Sequence, residues 1–400
     1  MENAMKMMPY AKHNINWEDT LAVEDATTAD SLTKGPAIEA FEDALCRFTG
    51  AKYCVVVNSG TAALHCALEA IQRSEWQVML PSLTFVGAAN AVVHTRHTPS
   101  FVDIDPLTLC IDPESTRRAI AHLKGHVAAI MAMDYAGVPC DYEYLNKIAK
   151  FWGIPIIADA CHSLGAPGVG NLLADITCFS FHPAKLITTG EGGAMVTNNK
   201  EYADRARIFR DHGISTPVDK RTTPNYEVSS WGFNFRMPDI NAALGISQLR
   251  RAEEFLKERR RVADNYVRLF KGSEKIKPIL QPDNSANHLF VVECVGTDVN
   301  RDSLYMELRN KGIGVAVHYP LIHKMEEYKQ CYMYKYGGQT CNGESLHISE
   351  QKQAKILTLP LYPYMLEEDQ FRVCDALNQA ISHKPHQYMP AFLRNGNSYP

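Results

Sequence analysis

The 400-residue chain lacks the marks of several large protein classes. No apolar run approaches the ~18 residues of a membrane-spanning helix, so no membrane partner is expected. Charge of neither sign dominates: 41 Lys and Arg against 45 Asp and Glu give a formal net charge of -4. That balance speaks against a nucleic-acid footprint and against a polybasic membrane anchor. Residues 1–16 are polar and mixed, without the apolar centre of a signal peptide. Eleven cysteines are present but no CxxC pair, and fifteen histidines but no HExxH motif. No metal site is therefore expected, and the thiols fit buried, reduced side chains of a cytoplasmic protein better than a disulfide scaffold. Internal repeats and low-complexity tracts are also missing.

What is present is hydrophobic content of 46%, enough for a large core and for two domains. Short apolar runs alternate with helical patterns. Strands are expected at 53–57, 78–81, 100–102, 127–133, 154–158, 175–181 and 194–197. Helices are expected at 35–48, 62–72, 85–94, 113–122 and 141–152. This rhythm predicts an α/β domain, its mainly parallel sheet covered by helices on both faces. After a loop at 214–230, Met237-Pro238-Asp239 opens one long helix running to about Phe270. The pattern then changes. Strands at 288–295 and 314–319 and helices at 301–311 and 371–382 predict a smaller α+β domain. The expected division is 1–270 (with an N-terminal segment 1–34), 271–383 and a tail at 384–400. The polar stretch 332–349 reads as an exposed loop.

Ligands collect at the C-terminal ends of parallel strands, and three chemically unusual groups fall there. Lys185 follows a buried strand, among apolar residues and the hydroxyls of Ser180, Thr188 and Thr189. A lysine so placed can be desolvated, hold a lowered pKa and form Schiff bases; for a lone lysine, a solvated loop is the commoner setting. Asn58-Ser59-Gly60-Thr61 joins a strand to a helix N-terminus. That geometry binds phosphate, and equally it is an ordinary helix cap. Asp159 ends an apolar strand, either as a structural ion-pair partner or as the anion that keeps a proton on a heteroaromatic nitrogen. His162, three residues on, is close enough to share a site. Together these groups suit pyridoxal 5'-phosphate, which needs a lysine for its aldehyde, a carboxylate for its ring nitrogen and a helix N-terminus for its phosphate.

The sequence also resembles the DegT/DnrJ/StrS type of sugar-nucleotide aminotransferase, from about Leu32 to about Leu377. The matching blocks are NSGTAAL at 58–64, PSLTFVGAANAV at 81–92, DYAG at 134–137, ADACHSLGA at 158–166, FSFHPAKLITTGEGGAMVTN at 179–198, FRDHG at 209–213, GFNFRMPDINAALGISQL at 232–249 and GIGVAVHYP at 312–320. The resemblance implies a fold type I architecture and transfer of an amino group from L-glutamate to a 4-keto nucleotide sugar. It implies that Lys185 binds the cofactor aldehyde and then moves the proton. It implies Asp159 at the ring nitrogen, His162 by the phenolic oxygen and Phe85 stacked on the ring. Gly60, Thr61, the Ala62 amide and Ser180 would hold the phosphate, and Asn234 would reach it from a second subunit of a homodimer. His318 and Tyr319 would lie near the sugar nucleotide. Gly192 and Gly193 are expected as backbone requirements.

Overall fold

The computed structural model describes residues 7–73, 76–170, 173–216, 221–329 and 345–382. Its larger sheet has seven strands: β1 Tyr53–Val57, β2 Gln77–Pro81, β3 Thr98–Val102, β4 Val127–Met133, β5 Ile156–Asp159, β6 Ile176–Ser180 and β7 Gly193–Thr197. Their order is β1-β7-β6-β5-β4-β2-β3. β3, β2, β4, β5 and β6 run parallel, and β7 is antiparallel to both β6 and β1. Alternate side chains feed two apolar layers. Cys54, Val56 and Met79 face one layer, and Val55, Val57, Val78 and Leu80 the other. The first layer is closed by α2 Pro36–Thr49, α5 Pro113–His122, α6 Tyr142–Trp152 and α8 Asp239–Leu249. The second is closed by α3 Gly60–Ala70, α4 Val86–His94 and α7 Lys200–Arg210. This is the mixed α/β, mostly parallel architecture that the alternation predicts, with fully buried strands because both faces are covered.

A three-stranded antiparallel sheet follows, β8 Ile276–Pro278, β9 Phe290–Cys294 and β10 Ile356–Leu359, in the order β10-β9-β8. Around it pack α10 Arg301–Asn310, α12 Glu367–Ser382 and the C-terminal half of α9 Ala252–Leu269, through Val262, Ala263 and Tyr266.

Several elements differ from the sequence expectation. The long helix after Asp239 is two helices, α8 and α9, broken at Arg250-Arg251. Side chains at the junction turn to the N-terminal segment: Gln248 Nε2 bonds Asp19 Oδ2 (2.7 Å) and the Asn14 carbonyl (2.8 Å), and Arg251 pairs with the same Asp19. That segment holds an unexpected helix, α1 Trp17–Thr27, started by a reciprocal cap between Asn16 and Asp19. Residues 314–319 form no strand; apart from one bridge, Ala316 to Thr358, the segment is irregular. The expected loop at 332–349 falls mostly outside the described residues, but its last three residues are helical, in α11 His347–Gln353. Asp103 caps that start, accepting from the amides of Ile348 (2.9 Å) and Ser349 (2.7 Å). β8 and β10 were likewise not expected; β8 is only three residues long. The expected tail at 384–400 lies outside the described residues. Among the described residues, no helix is long and apolar enough to cross a membrane.

Gly193, at the start of β7, faces the turn after β1. A Cβ there would lie 2.4 Å from the Ser59 carbonyl oxygen and 2.7 Å from the Gly60 nitrogen. Backbone on both sides leaves no flexible atom to give way. Gly193→Ala is expected to cost about 2 kcal/mol of stability, as overpacking does, read as a lowered urea midpoint.

Candidate active site

The C-terminal ends of β1, β4, β5 and β6 open into one cavity of about 390 Å³. Of the residues expected from sequence, it brings together Gly60, Thr61, Phe85, Asp159, His162, Ser180, Lys185, His318 and Tyr319. Two expected residues do not line it. The Ala62 amide donates to Ser59 Oγ at 3.1 Å, completing the N-cap of α3. Asn234 is exposed and off the cavity, its carbonyl accepting from Asn58 Nδ2 at 3.4 Å.

Lys185 sits in a loop pinned at both ends. Its amide donates to the His182 carbonyl (2.8 Å), and Thr189 N (3.0 Å) and Thr188 Oγ1 (3.1 Å) bond the Phe181 carbonyl. Asn241 of α8 holds the following turn by donating to the Thr189 carbonyl at 2.6 Å. The Lys185 amine is held below the usual lysine range, first by burial. Asp159 ends β5 and is almost wholly enclosed; burial raises its pKa, and its hydrogen bonds come from Cys161 alone, through the amide at 3.3 Å and the thiol. A buried carboxylate so poorly satisfied is suited to a partner brought by a ligand.

His162 Nε2 meets the Tyr319 hydroxyl at 2.9 Å, while its Nδ1 is buried without a partner. Asp134 steadies this corner: it accepts from Tyr142 Oη (2.8 Å), the Cys140 amide (2.9 Å) and Ser163 Oγ (2.5 Å), tying the turn after β4 to the residue beside His162. His318 is fixed by Thr358 Oγ1 at 2.9 Å, and burial lowers its pKa to about 4. At the far end, Gly60 N–H and Thr61 N–H have no intrahelical carbonyl to bond. A Cβ on Gly60 would lie 2.8 Å from Ser180 Cβ, so the helix N-terminus and the Ser180 side chain close one side together. Phe85, 53% exposed, overhangs the cavity, its ring 5.9 Å from that of Tyr319. The donors, the orphaned His162 nitrogen, the buried acid and the desolvated amine fit pyridoxal phosphate.

Sequence reasoning missed four residues here. Tyr10 reaches the cavity from the N-terminal segment, placed by main-chain bonds between Met8 and Gly314 and between Tyr10 and Leu361. The His288 ring packs against that of His162, tilted by 42°, with ring centroids 4.3 Å apart. Cys161 lines the cavity beside Asp159. Arg259 lies fully buried behind Lys185. None carries a local signal: each is an isolated residue whose role depends on a distant chain segment.

The model of the DegT/DnrJ/EryC1/StrS aminotransferase family matches residues 13–378. The chain belongs to this family. It is a pyridoxal phosphate-dependent sugar aminotransferase of fold type I. An uncharacterized protein of Methanocaldococcus jannaschii, MJ1066, is 34% identical over 387 residues, covering 94% of this chain and 98% of its own. Helicobacter pylori PseC, an aminotransferase of pseudaminic acid biosynthesis, superposes with a TM-score of 0.86 at 28% identity, over 94% of this chain and 99% of its own. The sugar aminotransferase Spr1654 of Streptococcus pneumoniae, described as putative and solved in its PLP form, gives 0.83 at 25% identity, over 94% and 98%.

Buried neutral histidines make the stability of this family member pH-dependent. Burial lowers His65 and His318 to about 4, and places His162 and His288 well below the usual range. Each is depressed relative to the unfolded chain, so its contribution is complete above about pH 6.5 and is lost as pH falls towards the folded value. Asp134, raised to about 6 by burial, and Asp159, also raised, offset part of this at lower pH. Unfolding free energy is expected to drop between about pH 7.5 and about pH 5.5. His65→Leu should flatten the slope by about one proton, measured by urea titration at each pH.

Proposed function

We propose that the enzyme moves an amino group from L-glutamate to the C4 ketone of a nucleotide-linked 4-keto-6-deoxy sugar, forming UDP-4-amino-4,6-dideoxy-N-acetyl-β-L-altrosamine in pseudaminic acid biosynthesis. The observation that carries this reading is the single cavity in which the Lys185 amine, the Asp159 carboxylate and the α3 N-terminus meet. The likeness to PseC over nearly the whole of both chains supports the choice of sugar. The alternatives within the same chemistry are a UDP-4-keto-pentose and GDP-4-keto-6-deoxymannose.

When bound, pyridoxal phosphate supplies an electron sink for charge developing at the amino-bearing carbon. Asp159 would keep the proton on its ring nitrogen, and His162 would face its phenolic oxygen. Thr61, Ser180 and the Gly60 amide would hold its phosphate. Lys185 Nζ, as a neutral amine, would take the proton from the amino-bearing carbon of L-glutamate and, in the second half-reaction, deliver a proton to C4 of the sugar. Phe85 would stack on the ring, and His318 and Tyr319 would flank the space left for the sugar, where the aromatic walls would limit water.

We further propose a cytoplasmic homodimer in which Asn234 of each subunit reaches the phosphate end of the other's site. Asn234 lies beside Trp231 and Phe233, which are 79% and 49% exposed, an apolar surface suited to a second copy. Each subunit would comprise two units, 1–270 and 271–383.

L-glutamate alone should convert the visible absorbance of the enzyme to that of the amine form, and kinetics with both substrates should be ping-pong. Lys185→Ala is expected to lose about a thousandfold or more in turnover; full turnover in that variant would sink the mechanism. A panel of 4-keto nucleotide sugars, with the aminated product identified by mass, decides among the sugars. A glutamate-insensitive spectrum would leave a protein that binds the cofactor without catalysis.

A further inference from the structure

Arg259, in α9, is 1% exposed and heads the large side chains that are fully enclosed. Among the described residues, no carboxylate forms an ion pair with it. Its hydrogen bonds go to main-chain carbonyls: Nη1 to His288 (3.2 Å), and Nη2 to Lys185 (3.4 Å) and Ala184 (3.5 Å). Its Nε is buried without a partner. A buried guanidinium without an anion is costly, and an apolar side chain of similar volume is commonly as stable or more so. Burial lowers the pKa to about 10, so the charge is kept at neutral pH. Arg259 and Lys185 also share the lining of a small void behind the cavity floor.

We propose that Arg259 is a positioning residue for the transamination: its guanidinium clamps the main chain of Ala184 and Lys185 to that of His288, and its uncompensated charge favours the neutral form of the Lys185 amine. The proposal rests on the reading of Lys185 as the catalytic amine. The clamp joins the catalytic loop to the residue whose ring packs against His162, so one side chain sets two parts of the site. The charge acts against the groups that favour protonation. Asp159, at the end of β5, stabilises the ammonium form, and Arg259 opposes it; the Cys161 thiol beside them is kept protonated by burial. The other titratable groups facing this space are His162, His288 and His318, each neutral at pH 7, with Tyr319 and Tyr10. His182, in the lysine's own loop, and Glu191 also line the cavity, and Lys12 and His13 line the void behind it. Of the cations around Lys185, Arg259 is the one that is fully buried and hydrogen-bonded to the lysine's own main chain.

The test is a spectroscopic pH titration of the holoenzyme, following the visible band of the lysine-bound cofactor in wild type, Arg259→Met and Arg259→Lys. The expected result is a midpoint about one pH unit higher in Arg259→Met, a tenfold change in proton affinity. Arg259→Lys keeps the charge and should stay near the wild-type midpoint while losing turnover, because it lacks the fork that spans the carbonyls. A merely structural arginine would change the melting temperature and leave the midpoint in place. Coincident midpoints for wild type and Arg259→Met overturn the proposal. If the methionine variant does not fold, Arg259→Gln gives the same reading, and an unmoved midpoint there is equally fatal. Failure of the underlying reading looks different: Lys185→Ala would then keep the visible band or its turnover.

Discussion

A lysine amine drawn out of water beside a buried carboxylate is the constraint on which this structure turns. In water the ammonium form is favoured by several pH units. The fold counters this with burial. Lys185 is half-buried and its amine desolvated because β6 and β7 run antiparallel and the loop that joins β6 to the glycine turn is pulled back onto Phe181 by Thr188 and Thr189. Asp159 is enclosed because β5 lies inside the sheet, between β4 and β6. The same low-polarity setting that lowers the amine raises the acid, so their pKa values move towards each other.

The second sheet contributes to the site through its approaches. Before β9, the amides of Ala286 and His288 bond the carbonyls of Gly137 and Ala136, in the turn after β4. After α10, the irregular stretch at 314–319 brings Tyr319 to His162 and His318 against Thr358 of β10. Tyr135 donates to the His318 carbonyl, closing the contact from the other side. The cavity wall is thus made of two cores, and the irregularity of 314–319 is what lets both side chains be presented.

The sequence reveals what is local. The β-branched runs and the helix starts at Pro36, Pro113 and Asp141 all act within a few residues, and the elements they mark form. Lys185, Asp159 and the Ser59–Thr61 turn were legible because strand ends in an α/β sheet share one edge. What was not legible is set by partners far along the chain. The break at Arg250-Arg251 needs Asp19 and Asn14, more than 200 residues away. Tyr10 needs residues 312–314 and 361. His288 opens an apolar run and reads as the start of a strand; its contact with His162 appears only when the two sheets are docked.

β1 is first in sequence but stands at the edge of the sheet, and its one strand neighbour is β7. Tyr53 pairs with Thr197 and Val57 with Gly193. A chain leaving the ribosome can join β2 to β3 and then to β4 soon after each is made, whereas β1 has no seat until residue 197 has emerged. Contacts so distant are slow to close. The α3 end of the cavity, whose Ser59 and Gly60 backbone rests on Gly193, is therefore among the last parts of the large sheet to be built, although its residues are among the first to be translated.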